Sequence, residues 1–194
     1  MIGYTGSPAE AADVLWTAAA ELGETRPPSR RAYLAGAATA LGRHFLQQWA
    51  RPFFPLVKNE SERRQLAELA MIYLRIAGFG FFADPVRFFV PMLRAANIVD
   101  RVGVGREHSN VYSLTGLVLA GLGFPRRALQ YGERAIEEAK SLQSPWHVAN
   151  AHVFHAVVLL ERGHWTDAFE HAELARDGFA ACGSISINNA FVRS

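Results

Sequence analysis

Apolar residues recur along this chain at three- and four-residue spacing almost without interruption, with polar residues between them. That is the period of one helix face, and no stretch alternates with the two-residue period of a strand. The pattern predicts helices and no sheet. A first helix is expected from Ser7-Pro8-Ala9-Glu10, a capping box with proline in its first turn, to about Leu22, with Gly23 as its stop. Pro27-Pro28 leads into a long second helix striped by Leu34, Ala37, Leu41, Phe45 and Trp49. Pro52-Phe53-Phe54-Pro55 breaks the chain, and Asn59-Glu60-Ser61-Glu62 opens a third helix with acidic residues at its positive end. Leu66, Leu69, Ala70, Tyr73 and Ala77 form its stripe. Gly78 to Pro85 reads as a hairpin turn from its breakers, and a fourth helix carries Phe88, Phe89, Met92, Ala95, Ala96 and Val99 up to Gly103.

The last part of the chain repeats itself. A shift of 40 positions lays Asn110, Val118, Leu119, Gly123, Ala128, Glu133, Ala135 and Ser144 on Asn150, Val158, Leu159, Gly163, Ala168, Glu173, Ala175 and Ser184. Each copy reads as helix, turn at the glycine, helix, which is the signature of a stacked hairpin array. The fifth helix, about Glu107 to Leu122, is apolar on nearly every side and belongs inside. The sixth, about Pro125 to Leu142, turns Ala128, Ala135, Ile136, Ala139 and Leu142 inward. Trp146, Ala149, Val153, Ala156, Val157 and Leu160 stripe the seventh; Trp165, Ala168, Phe169, Ala172, Ala175 and Phe179 stripe the eighth.

Within each copy the small residues fall where two helices must approach closely. Gly116 precedes Ala128, and Ala156 precedes Ala168, by 12 residues, with Ala135 and Ala175 later in the second helix. This spacing resembles the tetratricopeptide repeat, and Gly163-His164-Trp165-Thr166-Asp167-Ala168 looks like that family's turn. The departures are a period of 40, Gly132 and Ala172 where an aromatic is usual, and a closing proline displaced to Pro145 or missing. Long alanine-rich repeats of this kind resemble the arrays of large bacterial signalling ATPases linked to cyclase or kinase output domains. Residues Leu93 to Gly103, and the proline-bounded interruption between Gly23 and Pro55, are similar to features of those arrays. The resemblance implies a helical array that couples sensing to an output, and none of the ATPase or cyclase motifs lies in these residues.

Composition fits that reading. In 194 residues, half are hydrophobic (50%) and 20% are charged, enough to bury a core. Twenty basic side chains face 18 acidic ones, dispersed along the chain for a net charge of +2, so no polybasic run marks a nucleic-acid track or an anionic membrane surface. The start lacks the order of a secretory signal, and the most apolar stretch, Leu66 to Ala83, is broken by Glu68 and Arg75. The single cysteine, Cys182, excludes an internal disulfide and suits a cytoplasmic setting.

Candidate chemistry is sparse. His152 and His155 lie three apart, with His147 upstream, and a zinc or iron site would need further ligands, for which Glu170, His171 and Glu173 are the nearby candidates. The other reading is that these histidines line a groove. Gly78-Phe79-Gly80 and Gly103-Val104-Gly105-Arg106 lack the preceding strand and following lysine of a phosphate loop. There is no Gly-x-Ser-x-Gly elbow, and Cys182 has no catalytic partner in view. Phe79, Phe81, Phe82, Phe88 and Phe89 are expected to fill space between hairpins.

The chain is therefore expected to be all-α, a right-handed stack of antiparallel helical hairpins in the manner of a tetratricopeptide solenoid, and a fragment of a longer array. Its parts are a helix closing a preceding repeat at 7–23, a long helix and proline-bounded break at 28–58, a degenerate hairpin at 60–103, repeats at 105–144 and 145–183, and the start of a truncated repeat at 184–194. No catalytic, metal or cofactor residue is assigned. The expected function is a non-catalytic protein interaction scaffold, the sensing or coupling segment of a larger bacterial signal-transduction or transcription-regulating protein, with Asn110, His147, Asn150 and His152 offering hydrogen bonds from a groove. The partner is another protein or another domain of the parent, with neither nucleic acid nor membrane, and self-association is expected through uncapped ends. The rivals are a helical metal-dependent enzyme using His147, His152 and His155, and a helical regulator that binds small effectors or DNA.

Overall fold

The structure, a computed structural model, describes residues 8–50, 53–103 and 108–183. Among these the protein is all-α, with no strand: α1 Pro8–Glu21, α2 Arg30–Trp49, α3 Glu60–Ala83, α4 Pro85–Val102, α5 His108–Gly121, α6 Pro125–Ser141, α7 Pro145–Glu161 and α8 Trp165–Ala181. Ser7 of the expected capping box and the expected repeat start at 184–194 lie outside the described residues. No described helix is long and apolar enough to cross a membrane. The chain divides into two compact units, Met1–Gly103 and Val104–Ser194.

In the first unit, local chemistry sets the helix starts. Ser29 accepts from the amide of Ala32 to begin α2, and Asn59 accepts from those of Ser61 and Glu62 to begin α3. The expected turn at Gly78 to Pro85 does not form. Instead α3 runs through both glycines to Ala83, and Asp84 alone ends α3 and caps α4 by accepting from Val86. The corner is this tight because Gly80 has no Cβ: one placed there would lie 3.2 Å from the amide nitrogen of Phe88. Phe88 is buried at the same corner, and Phe79 and Phe89 are half-buried.

The helices α3 and α4 form an antiparallel pair around Tyr73, Met92 and Leu93, all fully buried. Helix α1 also packs on α3, with Trp16 edge-on to Tyr73 at 6.0 Å. The second helix packs on α4, and the approach of Gly36 to Val90, Ala40 to Asn97 and Gln48 to Asp100 shows the two running parallel. Its buried face is not the expected apolar stripe. Tyr33, Ala40, His44 and Gln47 are buried, whereas Leu34 is 53% and Trp49 87% exposed. The face is chosen by what α4 offers: Asn97 donates to the carbonyl of Ala40 and faces His44 Nδ1 through Oδ1, and Asp100 accepts from Gln48. Buried polar groups stay buried only where they find such partners.

In the second unit α5 and α6 form one antiparallel pair and α7 and α8 another, with α7 also packed on α5 and α6. A backbone with φ > 0 follows each of these helices at a fixed interval: Gly123, Gln143, Gly163 and Gly183. Helix and turn together therefore take 20 residues, half the period seen in the sequence. The close crossing expected at Gly116 is present, since a Cβ there would lie 3.0 Å from the carbonyl oxygen of Ala128. Ala128, Ala135, Ala149, Ala156, Ala168 and Ala175 are all buried, their short side chains letting helix backbones approach. Phe179 is fully buried between α7 and α8, packed on Ala149, Val153 and Ala175 with Trp146 edge-on at 6.4 Å.

The apolar stripes of α7 and α8 are narrower than expected. Val157, Leu160, Trp165 and Phe169 are 37%, 49%, 68% and 66% exposed. Their places inside are taken by histidines and asparagine.

Candidate functional site

The asparagines that repeat at 40 residues meet in space. Asn150 of α7 donates through Nδ2 to Oδ1 of Asn110 of α5 at 3.0 Å. Positions 114, 117 and 121 follow Asn110 up the same face of α5, and 154, 157 and 161 follow Asn150 on α7, as 3.6 residues per turn requires. Leu114, Leu117 and Phe154 are half-exposed and Val157 is exposed. This face of the α5–α7 pair thus carries four apolar side chains that are at least partly exposed, beside an amide pair in which Asn110 is half-buried and Asn150 buried, in equivalent places of the two copies.

His147 stands one turn before Asn150 on that face, half-buried, with Ser144 Oγ 2.7 Å from its Nδ1 and Trp146 edge-on at 5.1 Å. Three of the four expected groove residues, Asn110, His147 and Asn150, therefore lie along one face. His152 does not. Two residues beyond Asn150 on a helix points it to the opposite side, where it is buried with Nδ1 2.7 Å from Nδ1 of His171 on α8. Leu114, Leu117 and Phe154 were legible as apolar but not as surface, because the all-round apolarity of α5 hides which face lacks a neighbour.

His155 joins this inner group, its ring edge-on to His171 at 4.6 Å, while its Nδ1 turns to Gly132 and has no hydrogen-bond partner among the described residues. Burial first, then neighbouring His171, lowers the pKa of His152 and of His155 to about 4. Burial also lowers that of His171, against the opposing pull of Asp167 and Glu170. These imidazoles are neutral at pH 7. The proposed trio of His147, His152 and His155 is not brought together, since five residues turn a helix by about 140°. Among the described residues no group of three or more His, Cys, Asp or Glu side chains converges as a metal ion would require.

The fold defines a class no finer than an all-α protein of two helical units. Compared with protein-family models, curated proteins and solved structures, the chain matches none.

Proposed function

We propose that this chain is a non-catalytic scaffold that holds another protein, or another domain of its parent, on the open face of α5 and α7. In this reading the second unit is part of a right-handed, tetratricopeptide-like stack of antiparallel hairpins. Its setting is the cytoplasm, and its role is the coupling segment of a bacterial signalling protein. The observation that carries the proposal is the equivalence of Leu114 and Leu117 with Phe154 and Val157 on one partly exposed face, beside the linked amides of Asn110 and Asn150. A rigid helical surface of this kind contributes apolar contacts to an extended or helical segment without losing conformational entropy of its own.

Photo-cross-linking from Leu117 and Val157 in the parent cell tests it, with Glu137 on the exposed side of α6 as the control. A discrete protein adduct from the first two positions and none from the third is the expected result. Equal labelling from all three would overturn the proposal. So would stoichiometric zinc or iron, found by elemental analysis of untagged protein and lost on His152→Gln, because that would favour a metal-dependent enzyme.

A further inference from the structure

In the first unit α2 and α3 both pack on α4 but not along one another, and a groove of about 580 Å³ opens between them with α4 as its floor. Arg94 and Arg101 rise from that floor two turns apart, and Arg43 stands on the α2 wall. Arg94 is engaged: its Nη1 lies 3.2 Å from Glu24 Oε2 and donates to the Tyr73 hydroxyl at 3.0 Å. Arg43 and Arg101 are different. Among the described residues neither guanidinium has a carboxylate or hydrogen-bond partner. The groove thus carries three cations against one carboxylate, Glu24.

Beside these charges the groove has apolar lining in half-buried Leu66 and buried Leu69 on α3 and Ile98 on the floor, with Thr39 and Asn97 as polar neighbours. Each wall and the floor runs for two helical turns, about 10 Å at 1.5 Å per residue. Beyond Arg101 the connection from α2 to α3 crosses the end of α4, where Val57 donates to the carbonyl of Arg101. A groove of this volume falls within the range of small-ligand sites, but such sites enclose most of their ligand. This one is only about half enclosed, which suits a segment of chain.

We infer that this groove docks an acidic amphipathic helix of a partner protein, with the helix's apolar residues against Leu66, Leu69 and Ile98 and its carboxylates on Arg43 and Arg101. Charge complementarity selects the partner, because an acidic side chain there gains two charge-assisted contacts whereas a basic one meets uncompensated cations. The site lies on other helices than the α5–α7 face and does not depend on that reading.

A phage-displayed library of helical peptides, selected on the full chain, tests the inference. The expected winners carry Asp or Glu at helical spacing beside an apolar stripe, and bind about tenfold or more weakly to the Arg43→Glu/Arg101→Glu protein. Replacing their acidic residues with lysine should restore binding to that variant, which shows that it is folded and that charge sets the choice. Winners without acidic bias, affinity unchanged by the two substitutions, or no enrichment at all would overturn the inference. Tighter binding of a single-stranded oligonucleotide through the same arginines would overturn it in favour of nucleic acid.

Discussion

The imidazole of His155 occupies the space in which any residue larger than glycine at position 132 would place its Cβ. Helix propensity favours alanine over glycine by about 1 kcal/mol, but the displaced atoms belong to a buried ring with little freedom to move. Gly132→Ala is therefore expected to destabilise by about 1 to 3 kcal/mol, the usual cost of overpacking. In the His155→Ala background the same substitution should be neutral or stabilising, and thermal unfolding of the four proteins of the cycle measures the coupling. Equal effects in both backgrounds would place the clash elsewhere.

Stability should fall as pH drops from about 6.5 to about 4. In the unfolded chain the histidines take up protons near their ordinary value, whereas folded His152 and His155 resist protonation down to about 4, chiefly through burial. Between those values the unfolded state binds more protons, so the histidines cost no stability above about 6.5 and an increasing amount below it. Lys140 adds to this, and Asp167 and Glu170 beside His171 partly oppose it. Urea midpoints across this range should flatten in His152→Gln; a wild-type midpoint independent of pH would contradict the depressed values.

Gln143 holds φ = 51° at a position where the other helix ends of the second unit carry glycine. A side chain in the left-handed region costs about 1 to 2 kcal/mol, and Gln143 is exposed, with little packing to lose. Gln143→Gly is expected to raise the melting temperature by several degrees. A decrease would mean that the residue makes a contact worth more than the strain.

On α8, adjacent residues should respond in opposite ways. Ala168 is 4% exposed at the helix crossing, and Ala168→Leu should cost about 1 to 3 kcal/mol. Phe169 points out with Trp165, so the double substitution Trp165→Ser/Phe169→Ser should leave the unfolding midpoint nearly unchanged. The same pair should suppress concentration-dependent association in sedimentation, because exposed aromatic surface is where such chains meet.

Where helices begin and end was written in particular residues. Gly23, Asn59, Gly103, Gly123 and Gly163 act on their own backbone or that of the next turn, so their effect is local and readable. The close approach of Gly116 to Ala128 was readable too, because the repeat of 40 marked both as small. Two glycines misled for the same reason: at Gly78 and Gly80 the local signal is a turn, yet the helix continues, and what Gly80 provides is space for the backbone of α4.

By itself the sequence determined that the chain is helical, where most of its helices stop, and that its last two helix pairs are copies. Only the tertiary structure decided which face of each helix is inside. Periodicity says which positions share a face, but burial depends on what the neighbouring helix brings. His44 is buried because Asn97 faces it, and His152 because His171 does. Leu34 and Trp49 are left outside because no described helix covers them, although their spacing is that of a core stripe. Apolar transfer favours any contact, whereas a buried amide or imidazole needs one partner in one geometry, so the polar pairs select the register that the apolar pattern leaves open.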